Sequence, residues 1–292
     1  MVHEHPPIYA FVHIFKTAGT TVTGILRRNF STRHFDTRLF RNRTPASAED
    51  LRRIMMIYPS LVSIAGHAIR PFTDLERGYP NLQFYTFLRE PRARIFSAFR
   101  FGAVNLVRND GWRPTGAQEM EVVLRKTIQR RAKEMCAALS RDARVEPAIQ
   151  MLNEKIGFVG LLERFDESLL SMRQWMEKPD LDVRYRRLNV SGDLSGKFVS
   201  KEIQPFLDRV EEFAVHAMSR ADLLDCIAEA TRDDQALYDY AVRERCQLPS
   251  APSGPCTACP DAPLEQHLIG TDTMVGRAYR LLGKLLIPLV VK

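Results

Sequence analysis

Cysteine is scarce in this chain and poorly placed for cross-linking: five residues, Cys136, Cys226, Cys246, Cys256 and Cys259, with only the last two closely spaced. An odd, scattered set excludes a disulfide framework as the basis of the fold. Cys256-Thr-Ala-Cys259, with Cys246 before it and His267 after it, admits zinc ligation. A lone C-x-x-C in a Pro-rich segment is nevertheless read as free thiols, and no metal site is expected. Long apolar runs are missing as well. The tail over residues 264–292 gathers Leu281, Leu282, Leu285, Leu286, Ile287, Leu289 and Val290, but Arg277, Arg280 and Lys284 interrupt it. It falls short of the roughly 20 continuous apolar residues that a spanning helix needs. Docking on the protein's own surface or on a partner is expected for this amphipathic tail, with peripheral membrane contact as the alternative. Residues 1–7 are polar, and Lys16 cuts the next apolar run short, so no signal sequence is read and a cytoplasmic location is expected.

Glycine is missing from one telling place. The nucleoside triphosphate signature G-x-x-x-x-G-K-[ST] needs two glycines upstream of its lysine, and positions 9–15, before Lys16, hold none. No clear Mg²⁺-binding aspartate follows a strand either, so ordinary ATP or GTP use is disfavoured.

What is present is a chain of 292 residues, 45% of them hydrophobic, enough to bury a sizeable core. The expected division is one α/β domain over 1–247, a Pro-rich linker over 248–263 and the tail. The formal charge of +7 suits an anionic ligand, yet it equally suits solubility, and nucleic acid is not indicated.

The organising stretch is the run over residues 8–21. Residues 8–14 are rich in β-branched and aromatic side chains, which suits a central parallel strand buried on both faces. From Thr20, the spacing of Val22, Ile25, Leu26 and Phe30 predicts a helix. The loop between them therefore abuts a helix N-terminus, where free N–H groups and the helix dipole attract anions. Lys16 brings a charge, Gly19 permits close backbone approach, and Thr17, Thr20 and Thr21 bring hydroxyls beside Ala18.

Two further strands end in chemistry-bearing residues. Residues 61–65 lead into Gly66-His67, and an imidazole at a strand's carboxyl end is suited to proton abstraction near neutral pH. Residues 83–88 lead into Arg89-Glu-Pro91 and a helix carrying Ser97, a second candidate anion site. A capping box from Ser47 to Asp50 opens another helix. Residues 116–140 read as one inserted helix whose basic residues face solvent, and surface solvation is also expected for Arg92 and Arg94. Residues 157–170 read as strand, turn and helix with Asp166 as N-cap, and Arg164 there is read either as a structural ion pair or as a ligand contact. Apolar spacing over 203–224 and at 237–240 predicts closing helices.

His13-Ile-Phe-Lys-Thr-Ala-Gly-Thr-Thr21 resembles the His-Ile-Pro-Lys-Thr-Gly-Gly-Thr-Ser loop of sulfotransferases of the Golgi carbohydrate type, in particular the heparan sulfate 2-O-sulfotransferase-like members. Phe15 replaces the usual Pro and Ala18 the usual Gly. Residues 84–99 resemble the family's Phe-Leu-Arg-Asp-Pro…Arg…Ser-Ala-Tyr segment, and residues 157–168 its Val-Gly-Leu-x-Glu-x-Phe-Asp-Glu-Ser stretch, the expected fourth strand. The resemblance implies a P-loop-containing nucleotide-binding-like fold, a central parallel sheet flanked by helices. It implies 3′-phosphoadenosine 5′-phosphosulfate (PAPS) as donor, its bisphosphate (PAP) as product, and a carbohydrate or other hydroxyl-bearing acceptor. It implies that the loop over 16–21 holds the 5′-phosphate, Arg89 and Ser97 the 3′-phosphate, and that Lys16 and His67 are catalytic, His67 as general base. The region over 185–190 resembles a late family segment near the nucleotide. A nucleotide kinase-like enzyme and a non-catalytic nucleotide-binding scaffold are the alternatives.

Overall fold

Successive side chains of the first strand, β1 (Ile8–Val12), enter two different cores. Ile8, Ala10 and Val12 point into one, Tyr9 and Phe11 into the other. A strand buried on both faces needs helices on both sides, which parallel crossovers supply. The structure, a computed structural model, describes residues 6–37, 45–185 and 202–246. It is an α/β fold with a five-stranded, all-parallel sheet. β2 (His34–Asp36), β3 (Ser63–Gly66), β4 (Leu82–Leu88) and β5 (Ile156–Leu161) join β1 in the order β2-β3-β1-β4-β5. Among the described residues no helix is long and apolar enough to cross a membrane. The linker over 248–263, the tail over 264–292, Cys256, Cys259 and the segment over 186–190 lie outside the described residues.

In chain order the helices are α1 (Gly19–Phe30), α2 (Ala48–Ile57), α3 (Leu75–Gly78), α4 (Pro91–Asn109), α5 (Ala117–Arg131), α6 (Glu134–Leu139), α7 (Val145–Glu154), α8 (Phe165–Trp175), α9 (Gln204–Ala217), α10 (Ala221–Ala230) and α11 (Arg232–Glu244). Val22, Ile25 and Leu26 of α1 and Leu169 and Met172 of α8 meet Tyr9 and Phe11 on one face of the sheet. The other face is covered by α2, α6, α7 and α11. A third apolar cluster joins α4, α5, α9 and α10. The Ser47–Asp50 capping box forms as expected, and Pro91 occupies the first turn of α4.

Four readings from the sequence are corrected. β2 was missed because three residues at a sheet edge carry too little periodicity, so residues 156–161 form the fifth strand and not the fourth. The 116–140 helix is two helices. It breaks after Arg131 because the guanidinium of Arg94 takes the carbonyls of Arg131 and Ala132, while the carboxylate of Asp234 accepts the N–H groups of Met135 and Cys136 at 3.0 and 2.9 Å. Arg94 is thus fully buried, 3.0 Å from Asp234, and not solvated. Asp166 lies inside α8 and accepts a hydrogen bond from the Tyr185 hydroxyl at 2.6 Å, while the N-cap position is Arg164.

Candidate active site

β3, β1 and β4 are consecutive neighbours, so the loops leaving their carboxyl ends start about 5 Å apart. Those loops carry His67, Lys16 and Arg89 respectively. The chain leaves β1 toward β2 on one side of the sheet and leaves β4 toward β5 on the other. That divergence is a topological switch point, where open α/β sheets bind ligands.

The loop after β1 is wound tightly. Lys16 and Ala18 both adopt left-handed backbone conformations, with φ of 67° and 66°. Such a conformation costs a residue with a Cβ about 1–2 kcal/mol, so the surroundings hold the loop in place. One brace is Thr17, fully buried, whose hydroxyl donates to the Ile14 carbonyl at 3.0 Å. That proton is spent inside the loop, which leaves Thr17 its backbone N–H for a ligand. Thr20 is exposed and Thr21 half-buried. α1 begins with no side-chain cap and no acidic residue in its first turn. Its leading N–H groups, those of Gly19 and Thr20, have no intrahelical acceptor. α2 and α4, by contrast, are closed by Asp50 with Ser47 and by Glu90.

Lys16 has no ion-pair partner among the described residues. Its ammonium lies 4.5 Å from the Phe101 ring centroid. Burial, helped by the neighbouring Arg89 charge, pushes its pKa down to about 8. Arg89 is similarly unpaired among the described residues, and burial lowers its pKa despite Glu163 and Glu90 nearby. Its Nη1 reaches the Lys16 carbonyl at 3.4 Å, so the two strand ends converge on one place. Ser97 is buried near the end of the second turn of α4. Because Glu90 accepts the N–H groups of Arg92 and Ala93, the start of α4 is not an open anion site as the sequence suggested. A second anion would be held there by side chains alone.

His67 is aimed by its neighbours. Gly66 has a φ of 144°, and a Cβ there would lie 2.0 Å from the Thr37 hydroxyl, so only glycine lets β3 turn at this point. The Nδ1 of His67 is 2.8 Å from the His13 carbonyl. A carbonyl only accepts, so Nδ1 carries the proton and Nε2 of the neutral ring keeps its lone pair. The two imidazoles stack at 4.1 Å between centroids, with the Phe11 ring stacked behind His13 at 5.6 Å. His67 reaches solvent on one side, yet partial burial lowers its pKa, with the charges of Arg70 and Arg131 adding to the effect. Burial, with His67 next in weight, pushes the pKa of His13 down to about 3, so His13 stays neutral.

No protein-family model matches this chain, and no curated protein matches it.

Two residues were missed in the sequence. Arg131, at the end of α5, was read as part of a solvated face. Its guanidinium instead lies 4.4 Å from the Phe15 ring centroid and pairs with Glu134 at 2.7 Å. Phe15 sits 6.4 Å from His67, ring to ring. Arg70 follows His67 by three residues and was not singled out at all. No periodicity marks either residue: Arg131 reaches Phe15 from a distant helix, and Arg70 lies in the loop after β3. Arg164 pairs with Glu167 at 3.7 Å, the structural one of the two roles read for it. Among the described residues no group of three or more His, Cys, Asp or Glu side chains gathers as a metal site.

Proposed function

We propose that the chain is a sulfotransferase of the PAPS-dependent carbohydrate type, with a P-loop-like anion loop. It would move a sulfuryl group from PAPS to a hydroxyl of a carbohydrate or glycosylated small molecule. The observation that carries this reading is the contact between Arg89 and the Lys16 carbonyl. It brings two unpaired cations and an uncapped helix start to the switch point of the sheet, which suits a nucleotide with phosphates at two corners of its ribose.

The residues present fit such a donor. The backbone N–H groups of the 16–21 loop and the start of α1 would hold the 5′-phosphate. Arg89, with Ser97, would hold the 3′-phosphate. PAPS supplies the activated sulfuryl group when bound. His67 takes the acceptor's hydroxyl proton on Nε2 as the oxygen bonds to sulfur. Lys16 and the N–H groups at the start of α1 stabilise the negative charge left on the 5′-phosphate oxygen as its bond to sulfur breaks. A partly buried ammonium with no carboxylate beside it does this better than one already paired, because none of its field is cancelled.

Incubation of the chain with sulfur-labelled donor and fractionated extract of the source cells, followed by mass spectrometry, tests this reading. Gain of one sulfate-sized increment on an acceptor, without added metal and lost in Lys16→Ala, is expected. Labelled phosphate transfer from Mg-ATP would establish the kinase-like alternative in its place.

A further inference from the structure

Two carboxylates lie near Arg89, and neither pairs with it. Glu90 is the next residue in the chain, and Glu163 stands in the turn between β5 and α8. Burial lowers the pKa of Arg89 and the charges of Glu163 and Glu90 oppose that, so both carboxylates are close enough to act on it. Yet the guanidinium has no ion-pair partner among the described residues, and its Nη1 goes to the Lys16 carbonyl. A partly buried cation gains by pairing with a carboxylate within reach, since their attraction offsets part of the cost of desolvating each.

The hydrogen bonds show what holds these two carboxylates off. Glu90 folds over the start of α4, its Oε1 accepting the Arg92 N–H at 3.0 Å and its Oε2 the Ala93 N–H at 2.6 Å. Glu163 is fixed from two sides. Its Oε1 accepts the backbone N–H of Glu90 at 2.9 Å, and its Oε2 accepts the hydroxyl of Tyr238, on α11, also at 2.9 Å. All four carboxylate oxygens are thus taken by neutral donors, three of them backbone groups and the fourth a side chain. Burial, with the Glu163 charge next in weight, raises the pKa of Tyr238, so its hydroxyl keeps its proton and stays a donor near neutral pH.

We propose that Tyr238 is a positioning residue for the donor: by holding Glu163 off Arg89, it leaves the guanidinium open to the 3′-phosphate. The proposal rests on the sulfotransferase reading and adds what keeps its second phosphate site free of a protein counter-ion. Without the hydroxyl, Oε2 of Glu163 loses its donor and the carboxylate turns to the unpaired guanidinium. It then competes with phosphate for the same planar fork. The competition is confined to Arg89, so a nucleotide held only by the 16–21 loop does not feel it.

Metal-free calorimetry on the full chain, with adenosine 3′,5′-bisphosphate and adenosine 5′-monophosphate as the two ligands, tests this. Tyr238→Phe removes one oxygen and keeps the ring. It is expected to bind the bisphosphate about fivefold more weakly than wild type and the monophosphate within about twofold of it. Adding Glu163→Gln to Tyr238→Phe removes the competing charge and is expected to restore bisphosphate affinity to within about twofold of wild type. A packing role for Tyr238 would weaken both nucleotides and would not be rescued by the second change. Circular dichroism melts confirm that each variant is folded. Should Tyr238→Phe not fold, Glu163→Gln alone serves, with bisphosphate affinity expected to rise about twofold to threefold and monophosphate affinity to stay level. Unaltered bisphosphate affinity in folded Tyr238→Phe, equal weakening of both nucleotides, or failure of Glu163→Gln to restore binding overturns the proposal; so does unchanged or weaker bisphosphate binding in Glu163→Gln alone. A wild type that binds the two nucleotides equally removes the assignment of Arg89 to a phosphate, and this inference with it.

Discussion

The Nδ1 of His67 donates to the backbone carbonyl of His13 across 2.8 Å, and the two rings stack at 4.1 Å. One residue thus sets both the tautomer and the tilt of the other. The expected consequence is that His67→Ala lowers turnover by on the order of a hundredfold or more while bisphosphate affinity changes by less than about twofold. Steady-state kinetics and calorimetry read the two effects separately. Unchanged turnover would remove the base assignment and leave the transferase reading standing.

The pH profile follows from two lowered pKa values. On the proposed reading His67 acts as a base only when neutral, and its pKa lies below 6.5, so kcat/KM is expected to rise along an acid limb below that pH. The role proposed for Lys16 needs its charge, and its pKa in the free protein is about 8, so kcat/KM is expected to fall as pH rises through that value. The profile is a bell whose alkaline limb Lys16→Arg shifts beyond the measurable range, since arginine does not lose its proton in water. An alkaline limb that stays near pH 8 in this variant would separate it from Lys16.

Two neighbouring positions in the loop should both favour glycine, one for space and one for backbone conformation. A Cβ at Gly19 would lie 1.7 Å from Nε2 of His13, and His13 is backed by Phe11. Gly19→Ala is therefore expected to displace His13 and, through it, His67, costing about a hundredfold in turnover. Ala18→Gly relieves the left-handed strain at φ 66°, offset in part by a more flexible unfolded chain. Its expected effect is a gain of about 0.5 kcal/mol with activity retained. Denaturant melts and kinetics on both variants check the contrast, and an active Gly19→Ala enzyme would contradict it.

Arg94 and Asp234 form a buried pair that also ends one helix and starts the next. Arg94→Met leaves the buried Asp234 without its counter-charge, while Glu134 keeps Arg131, and is expected to destabilise the fold by about 3–5 kcal/mol. Arg94→Met with Asp234→Asn should cost less than the single change, because no unmatched charge stays buried. Urea unfolding decides, and additive losses would show that the two residues act independently.

His13 makes stability depend on pH. Its pKa is about 3 in the fold and about 6.5 when unfolded, so its contribution is complete above pH 6.5 and is lost as pH falls toward 3. Proton uptake by the unfolded chain gives a slope of up to about 1.4 kcal/mol per pH unit in that window. His13→Phe keeps an aromatic ring in the stack and removes this slope. Melting temperatures measured from pH 7 to 5 would sink the idea if wild type and variant fell in parallel.

Much of this architecture is legible in the sequence wherever a local pattern decides it. Ile8 to Val12 alternate between two cores, Ser47 and Asp50 cap each other, and Pro91 opens α4, all of them features of a few adjacent residues. The strand ends that carry Lys16, His67 and Arg89 follow from where apolar runs stop. What stays hidden is set by pairs far apart in the chain. Arg94 meets Asp234 across 140 positions, and that contact both buries an expected surface arginine and breaks an expected helix. Arg131 reaches Phe15 for the same reason. The Thr17 hydroxyl was read as a ligand donor because the residue type allows it, but only the folded loop shows that its proton goes to Ile14.

The convergence of Lys16 and Arg89 on one nucleotide with two separate phosphates is tested most directly by metal-free calorimetry. Adenosine 3′,5′-bisphosphate and adenosine 5′-monophosphate are titrated into the wild type and into Arg89→Ala. The account predicts that the wild type prefers the bisphosphate by about tenfold or more and that Arg89→Ala removes the preference, since a hydrogen bond to a charged group is worth about 1.5–3 kcal/mol. Equal affinity of the wild type for the two nucleotides, or binding only of Mg-ATP, would contradict it.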